Sequence, residues 1–201
     1  TDYNGPATFD YTVADGNGST DVGSVSGTVT PVNDPPVADD ESFTVAEDGS
    51  VIISVLTGDT DLDGNPLAVT QINGTAISVG SPVTIATGVV SLNADGTLTF
   101  TPNTDYNGPA TFDYTVADGN GGTDVGSVSG TVTPVNDAPT STSIVTQNGI
   151  DNTPVTLDVS GNFSDLDTGD VLTFSAGGTL PPGLTIDPNT GVITGTIDPS
   201  A

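Results

Sequence analysis

An internal repeat is the feature that most limits how this chain can fold. Residues 1–34 recur as residues 104–137, an offset of 104 − 1 = 103 residues, and the two copies differ only where Ser19 becomes Gly122. A period near 100 residues is too long for a solenoid and fits one sandwich domain per repeat. The sequence therefore predicts a tandem array of small domains.

Short segments of alternating apolar and polar residues fill the repeat, and Gly, Asn, Asp and Pro bound them. No stretch keeps a helical period. Seven such segments in about 100 residues are typical of an immunoglobulin-like sandwich. The predicted strands are 42–46, 51–56, 67–72, 89–92, 97–101, 110–116 and 125–133. We predict an all-β fold of tandem immunoglobulin-like Greek-key β-sandwiches in an extended array.

The strand pattern divides the chain into three parts. Residues 1–34 carry the last two strands of a repeat, residues 35–137 (the middle repeat) are complete, and residues 138–201 carry about the first five strands of a further module. Two explanations stay open. The chain is a window on a longer array, or the start of one copy completes the end of another by strand addition.

The charge of the chain has one sign, with 26 acidic residues and no Lys, Arg or His. Two carboxylates about 4 Å apart repel by roughly 4 kcal/mol at an effective dielectric near 20. The acids must therefore stay apart in water or share bound cations. All except Glu41 and Glu47 are Asp, which favours loops and turns. Without basic side chains, nucleic acid and anionic membrane surfaces are excluded as partners.

The small cores need a stabiliser other than disulfides, because the chain has no cysteine. No apolar run approaches the roughly 20 residues of a membrane span, so direct membrane insertion is not expected. The segment Val32-Asn33-Asp34-Pro35-Pro36 ends one block, and Val135-Asn136-Asp137-Ala138-Pro139 ends the next. Proline restricts the backbone, and Asn and Asp supply the oxygen ligands that calcium prefers. These segments indicate calcium-stiffened hinges.

A second acidic segment, Asp59-Thr60-Asp61-Leu62-Asp63-Gly64, matches the opening of an EF-hand loop. The twelfth position, where an EF-hand has a bidentate Glu, is Thr70, and the flanking segments are predicted strands. An EF-hand is therefore disfavoured. The alternative is a partial coordination sphere that neighbouring segments complete.

Together these motifs resemble the cadherin-like tandem repeats of large bacterial adhesins of the RTX and biofilm type. The matching segments are Asn33-Asp34-Pro35-Pro36, Asp61-Leu62-Asp63, Ala117-Asp118-Gly119-Asn120-Gly121 and the isolated Glu47. The run from Leu180 to Thr196 resembles the dystroglycan-type cadherin-like modules of bacterial surface proteins, a class of immunoglobulin-like domain. The resemblance implies cadherin-like sandwiches, bound Ca²⁺ and an extracellular location on a bacterial surface.

The resemblance also implies two calcium sites, one at each linker. The first linker site would use Asn33, Asp34, Asp61, Asp63 and Asp118, with Asp2 as a further candidate. The second linker site would use Glu47, Asp105, Asn136, Asp137, Asp165 and Asp167. Asp15 is the copy of Asp118 and is expected to have no linker partner.

The leading hypothesis for function is a spacer that holds an adhesive region away from the cell, because reach grows with the number of repeats. Its partners would be neighbouring modules of the same chain, with homotypic strand exchange as an alternative. A sugar- or ice-binding module is the second hypothesis, based on Thr-x-Thr pairs at Thr28 and Thr30 and at Thr131 and Thr133. An enzyme is not expected and no catalytic residue is predicted, because the chain lacks His, Lys, Cys and Arg to tune its carboxylates.

Overall fold

The computed structural model describes residues 3–199. Within them, the regular elements are β-strands and one short 3₁₀ helix at Ser160–Asn162. No helix in this part of the chain is long and apolar enough to cross a membrane. The prediction of an all-β fold is confirmed.

The strands of the described residues follow the predicted segments closely in the middle repeat. In chain order they are β1 (Gly5–Ala14), β2 (Thr20–Val29), β3 (Glu41–Ala46), β4 (Val51–Ile53), β5 (Ala68–Ile72), β6 (Thr75–Ala76), β7 (Val83–Ile85), β8 (Gly88–Leu92), β9 (Leu98–Pro102), β10 (Gly108–Ala117), β11 (Thr123–Thr133), β12 (Thr140–Ser141), β13 (Pro154–Asp158), β14 (Phe163–Ser164), β15 (Leu184–Ile186) and β16 (Val192–Thr196).

Two details differ from the predicted strands. The short strands β6 and β7 were not predicted, and β4 ends at Ile53 rather than at residue 56. Val55 is fully buried, yet it lies in a turn that the Thr57 N to Ser54 O hydrogen bond closes. A buried turn residue and a buried strand residue look alike in a hydrophobic pattern, which explains the error.

The chain separates into two compact units. The first comprises Thr1–Val45, Ser50–Pro102 and Pro109–Thr131, and the second comprises Ala46–Gly49, Asn103–Gly108 and Val132–Ala201.

The first unit contains a β-sandwich. One sheet has the strand order β3-β11-β10-β5-β6 and the other has the order β4-β9-β8-β7. The ring of Phe100 on β9 lies 5.1 Å from that of Phe43 on β3 and 6.0 Å from that of Phe112 on β10, measured between centroids. The two sheets therefore pack face to face over an aromatic core.

Side chains of β10 alternate between core and solvent, as the sequence predicts. Phe112, Tyr114 and Val116 are 3%, 0% and 0% exposed, whereas Thr111 and Asp113 face solvent. This alternation is the period of two expected of a strand with one buried face.

The hairpin of β1 and β2 belongs to the same unit and has the same sequence as β10 and β11 apart from one residue. It is antiparallel, with pairs running from Gly5 and Val29 to Ala14 and Thr20. Its apolar side chains are nevertheless open to solvent. The residues that correspond to Phe112, Tyr114 and Val116 are 63%, 50% and 58% exposed, and they are Phe9, Tyr11 and Val13. The local sequence is therefore sufficient to form the hairpin, but its apolar side chains are buried only where other strands pack against them.

The second unit contains a three-stranded sheet, β13-β16-β15, and a two-stranded sheet, β12-β14. Residues 140–196 carry five strands, β12 to β16. Its core is thin, because Val159 is the only buried apolar side chain between residues 138 and 199. The rings of Phe163 and Phe174 meet edge to face, 5.7 Å apart, near the surface.

Candidate metal sites

The same backbone contact joins linker and acidic loop at both linker sites. The Asp34 amide donates to Asp63 Oδ2 at 2.8 Å, and the Asp137 amide donates to Asp167 Oδ2 at 2.6 Å. In each case the loop acid is the second Asp of an Asp-Leu-Asp segment. The structure therefore brings each linker Asp beside the acidic loop that the resemblance implies as its partner, and calcium binding there stays a prediction.

Asp118 and Asn33 meet at the first linker site. Asn33 Nδ2 donates to Asp118 Oδ2 at 2.7 Å, and Asp118 also accepts from the amides of Asn120 and Gly122. These bonds, with Asn33 the largest contributor, hold the pKa of Asp118 below its ordinary value although the side chain is only 2% exposed. Asp118 is therefore a buried carboxylate that stays charged.

Asp61 supplies an unsatisfied oxygen at the same site. Its Oδ1 accepts from the Asn65 amide at 3.0 Å, while its Oδ2 is buried and has no hydrogen-bond partner. Asn65 Nδ2 donates to Asn33 Oδ1 at 3.2 Å and so ties the loop to the linker. A buried oxygen without a donor is costly unless something positive reaches it.

The first linker site is not a tight carboxylate cluster. Among the described residues, no three of its acids bring oxygens within 4.8 Å of one another. The further candidate Asp2 lies outside the described residues. The site consists of hydrogen-bonded pairs, Asn33 with Asp118 and Asp34 with Asp63, together with the unsatisfied Oδ2 of Asp61.

The second linker site is denser. Glu47, Asp137 and Asp167 each place one carboxylate oxygen within 4.8 Å of the others. Glu47 is 3% exposed and accepts from the Val135 amide at 2.6 Å and from Asn107 Nδ2 at 3.0 Å. These two bonds lower the pKa of Glu47, so it is charged at neutral pH.

Asp137 is the member of this like-charged group whose ionisation is disfavoured. Burial raises the pKa of Asp137, and the charges of neighbouring acids raise it further. In decreasing order of effect, those neighbours are Asp105, Asp167, Asp48 and Glu47. Because the chain contains no basic side chain, only a proton or a bound cation can relieve this repulsion.

The remaining predicted ligands of the second site lie around this group. Asp165 forms another cluster with Asp167 and Asp170, and its Oδ1 accepts from the Asp167 amide at 3.0 Å. Asn136 Nδ2 donates to the Asp137 carbonyl oxygen at 2.8 Å. Asp105 is exposed and has a left-handed backbone, with φ of 56°.

The donors at both linker sites fit calcium. They are carboxylate and amide oxygens, which suit a hard cation that takes six to eight oxygen ligands, and they include the unsatisfied Oδ2 of Asp61. No His, Cys or Met is present to favour a softer metal.

Several acids and one amide side chain that lie near the candidate ligands were not predicted from the sequence. Asp48, Asn107 and Asp170 adjoin predicted ligands of the second site. Asp48 follows Glu47 directly and Asp170 ends an acidic loop, so adjacency was the available signal for both. A separate group comprises Asp39, Glu41 and Asp59. Asp59 opens the EF-hand-like segment, but its carboxylate lies in a group with Asp39 and Glu41 that does not include Asp61 or Asp63.

Asp15 has only local contacts among the hydrogen bonds of its side chain. Its Oδ1 accepts from the amides of Asn17 and Ser19, and these bonds lower its pKa. Its copy Asp118 makes the corresponding turn contacts and adds the linker bond to Asn33.

The one difference between the repeat copies lies at the first linker site. A Cβ atom at Gly122 would lie 2.3 Å from Asp118 Oδ2 and 2.8 Å from the Pro35 Cα. A serine, which the other copy has at Ser19, cannot fit there without moving the linker or the carboxylate. Gly122 therefore permits the close approach of Asp118 and Pro35.

Exchanging this one residue tests that contact. We expect Gly122→Ser to destabilise the protein by about 1–3 kcal/mol through overpacking and to weaken calcium binding, because it displaces the Asp118 carboxylate. The reciprocal change Ser19→Gly, at an exposed turn, is expected to shift stability by less than about 0.5 kcal/mol. Thermal melts with and without calcium measure both effects. Equal effects of the two variants would show that Gly122 has no special role.

Comparisons with known proteins agree with the β-sandwich architecture. Residues 33–131 match the family described as "Bacterial Ig domain", and residues 138–201 match the family described as "Putative Ig domain". Both matches are to families of immunoglobulin-like domains. Among curated proteins, none is significantly similar in sequence to this chain. These two family matches agree with the predicted immunoglobulin-like fold class, and domains of such families are typically non-enzymatic.

Solved structures that align with this chain include cadherin ectodomain fragments. PcdhgB3 EC1-4 aligns at 17% identity and a TM-score of 0.54, over 96% of this chain and 48% of that one. Mouse clustered PcdhgC3 EC1-3 aligns at 15% identity and a TM-score of 0.46, over 97% of this chain and 66% of that one. The endo-fucoidan hydrolase MfFcnA4 aligns at 20% identity and a TM-score of 0.36, over 97% of this chain and 30% of that one. The chain thus spans 30% to 66% of these structures, and only the alignment with PcdhgB3 indicates a similar fold.

Proposed function

We propose that this chain is a calcium-stiffened spacer of a bacterial cell-surface adhesin, whose Ig-like domains hold a distal ligand-binding region away from the cell. The observation that carries the proposal is the second linker site, where Glu47, Asp137 and Asp167 converge without any basic partner. The near-identical repeat supports a structural role, because a spacer gains reach from each added copy.

The mechanism follows from where the acids attach. Asp137 belongs to the linker, Asp167 to the loop of the following domain, and Glu47 to the turn that follows β3 in the middle repeat. Their mutual repulsion opposes close approach of these three segments. Bound calcium supplies the positive charge that reverses this repulsion. The Val135 amide and Asn107 hold Glu47 in position, and the Asp137 amide holds Asp167.

Calcium also stabilises the fold by linkage. Extracellular modules bind calcium with Kd of about 10⁻⁴–10⁻³ M. At 10 mM free calcium, a single site of this affinity would add about 1.4–2.7 kcal/mol to the free energy of unfolding. An extracellular location supplies calcium at the concentration that such sites need, and the domain class is consistent with that location.

Small-angle scattering in 10 mM calcium and in excess chelator tests the proposal. We expect the maximum dimension of the chain to grow with calcium while the far-UV dichroism keeps its β signature. A matched pair of variants localises the effect. Asp118→Asn should weaken the response, whereas Asp15→Asn, the same change in the same local sequence, should leave it intact. No response of the wild-type dimension to calcium would reject the spacer mechanism.

Strand addition between copies is a second candidate, and the exposed faces of β1 and β2 favour it. Phe9, Tyr11 and Val13 are half exposed or more, whereas the identical residues of β10 are buried under partner strands. Residues 138–201 offer five strands over a thin core. Under this alternative, the hairpin of one chain completes the last domain of another. Sedimentation of the chain at rising concentration distinguishes it, because strand addition requires self-association.

A further inference from the structure

The first residue of β3 is an acid in a core-facing position. Along this strand Phe43 and Val45 are buried, at 9% and 8% exposed, and the alternate residues between them face solvent. Glu41 shares the inward face because it lies two residues before Phe43. Glu41 is half-buried as a residue, but both of its carboxylate oxygens are buried. A buried carboxylate normally pairs with a cationic side chain, and this chain has none.

Two further acids meet Glu41 there. Asp39 and Asp59 each place one carboxylate oxygen within 4.8 Å of a Glu41 oxygen and of each other. The Asp39 amide donates to Asp59 Oδ1 at 3.0 Å. The hydroxyl of the buried Tyr114 donates to the same oxygen at 2.9 Å and lies 3.1 Å from the Asp39 carbonyl oxygen. The chain after the linker, the acidic loop and β10 together fix this group.

Three oxygens of this group have no partner. Both carboxylate oxygens of Glu41 and Oδ2 of Asp59 are fully buried and accept no hydrogen bond. Buried polar atoms are nearly always satisfied, and each exception needs an explanation. The closeness of the three acids does not by itself explain the missing hydrogen bonds, because backbone amides or hydroxyl groups could have donated to these oxygens. Three buried oxygens without donors, on two acids of one carboxylate cluster, indicate a missing positive partner.

Two glycines make room for the group. A Cβ atom at Gly58, whose φ is +107°, would lie 2.4 Å from Asp39 Oδ2. A Cβ atom at Gly126 would lie 2.4 Å from the Tyr114 ring and 2.5 Å from the Asp39 carbonyl oxygen. Any other residue would push Asp39 or Tyr114 out of position. The backbone is thus shaped around these side chains.

The electrostatics agree with the geometry. Burial, followed by the adjacent Asp39 carboxyl group and the charge of Asp59, raises the pKa of Glu41 to about 7. Burial likewise raises the pKa of Asp59. At neutral pH the group therefore holds negative charge at a cost that a cation would remove.

We propose that Asp39, Glu41 and Asp59 bind a divalent hard cation, with calcium as the probe, at a third site distinct from both linker sites. The donors are three carboxylates, and Asp39 is exposed, so water can complete the coordination. The site lies wholly within the first unit. It does not depend on the spacer function, because none of its residues belongs to a linker site.

Counting bound calcium by equilibrium dialysis of the full chain at pH 7.5 tests the site. We expect Glu41→Gln to bind one ion fewer than the wild type, or to bind that ion at least about tenfold more weakly. The control Asp40→Asn removes the same charge one residue away. Asp40 accepts from the Ser127 amide and hydroxyl at 3.0 Å and lies outside the group. It should bind the wild-type number of ions.

The isosteric Asp59→Asn variant is the second probe and should lose the same ion, which keeps the test valid if Glu41→Gln does not fold. Full calcium occupancy with unchanged affinity in both variants would overturn the proposal and assign the group to a shared proton. The scattering response separates this site from the linkers. A Glu41→Gln chain that loses one ion but still lengthens with calcium retains working linker sites.

Discussion

Replacement of Phe112 by alanine is expected to destabilise the middle repeat by about 3–5 kcal/mol, the range for a large aromatic side chain removed from a packed core. Phe112 is 3% exposed and its ring lies 6.0 Å from that of Phe100. For a domain of about 100 residues, each kcal/mol lowers Tm by roughly 4–8 °C. Chemical denaturation followed by tyrosine fluorescence and dichroism measures the change.

The chain carries its own control for this experiment. Phe9 has the same neighbours in sequence but is 63% exposed, so Phe9→Ala is expected to cost less than about 0.5 kcal/mol. Similar costs for the two variants would mean that β1 and β2 are covered in solution. If the cost of Phe9→Ala appeared only at high protein concentration, the covering partner would be a second copy of the chain.

The effect of Asp137→Asn on the melting temperature is expected to have opposite signs in chelator and in calcium. In chelator, the variant should melt at a higher temperature than the wild type, because burial and the charges of Asp105, Asp167, Asp48 and Glu47 disfavour the ionised side chain. In 10 mM calcium it should melt at a lower temperature, because one ligand has lost its charge. Thermal melts at pH 7.5 under both conditions measure the crossing.

Asp187 provides the matched control in the same unit. It accepts hydrogen bonds from the amides of Asn189 and Thr190, which lower its pKa. A lowered pKa means that the ionised form stabilises the fold above the unfolded-state pKa, so Asp187→Asn should reduce Tm at pH 7.5. The reduction should be the same with and without calcium. A parallel response of the Asp137 variant would rule out Asp137 as a calcium ligand.

The features that the sequence predicts well are those that short-range patterns control. The alternation of Phe112, Tyr114 and Val116 fixes which face of β10 is buried, and this follows from the period of a strand. The proximity of Asp34 to Asp63, and of Asp137 to Asp167, is instead an expectation from the resemblance to cadherin-like repeats, because these pairs lie 29 and 30 residues apart. Local spacing is sufficient information only for the strand.

Features that depend on distant packing could not be predicted. The Glu41 group needs β3, the acidic loop and β10 to meet, and nothing in the spacing of residues 39, 41 and 59 indicates that they do. Asp59 lies in the same acidic segment as Asp61, but its carboxylate accepts a hydrogen bond from the Tyr114 hydroxyl. Burial of a hairpin likewise depends on distant strands, because β1 is exposed and β10 has one buried face although their sequences are identical.

The near-identity of the two hairpins also bears on how the chain reaches its native state. In the folded protein, β5 pairs with residues Tyr114–Ala117 of β10, and the same four residues occur in β1 as Tyr11–Ala14. A chain emerging from the ribosome completes β1 and β2 long before β10 exists. The wrong hairpin is thus available to β5 first, and tandem proteins with similar neighbours are prone to such misassembly. If β5 pairs with β1 in this way, correct folding requires exchange of the first hairpin for its copy.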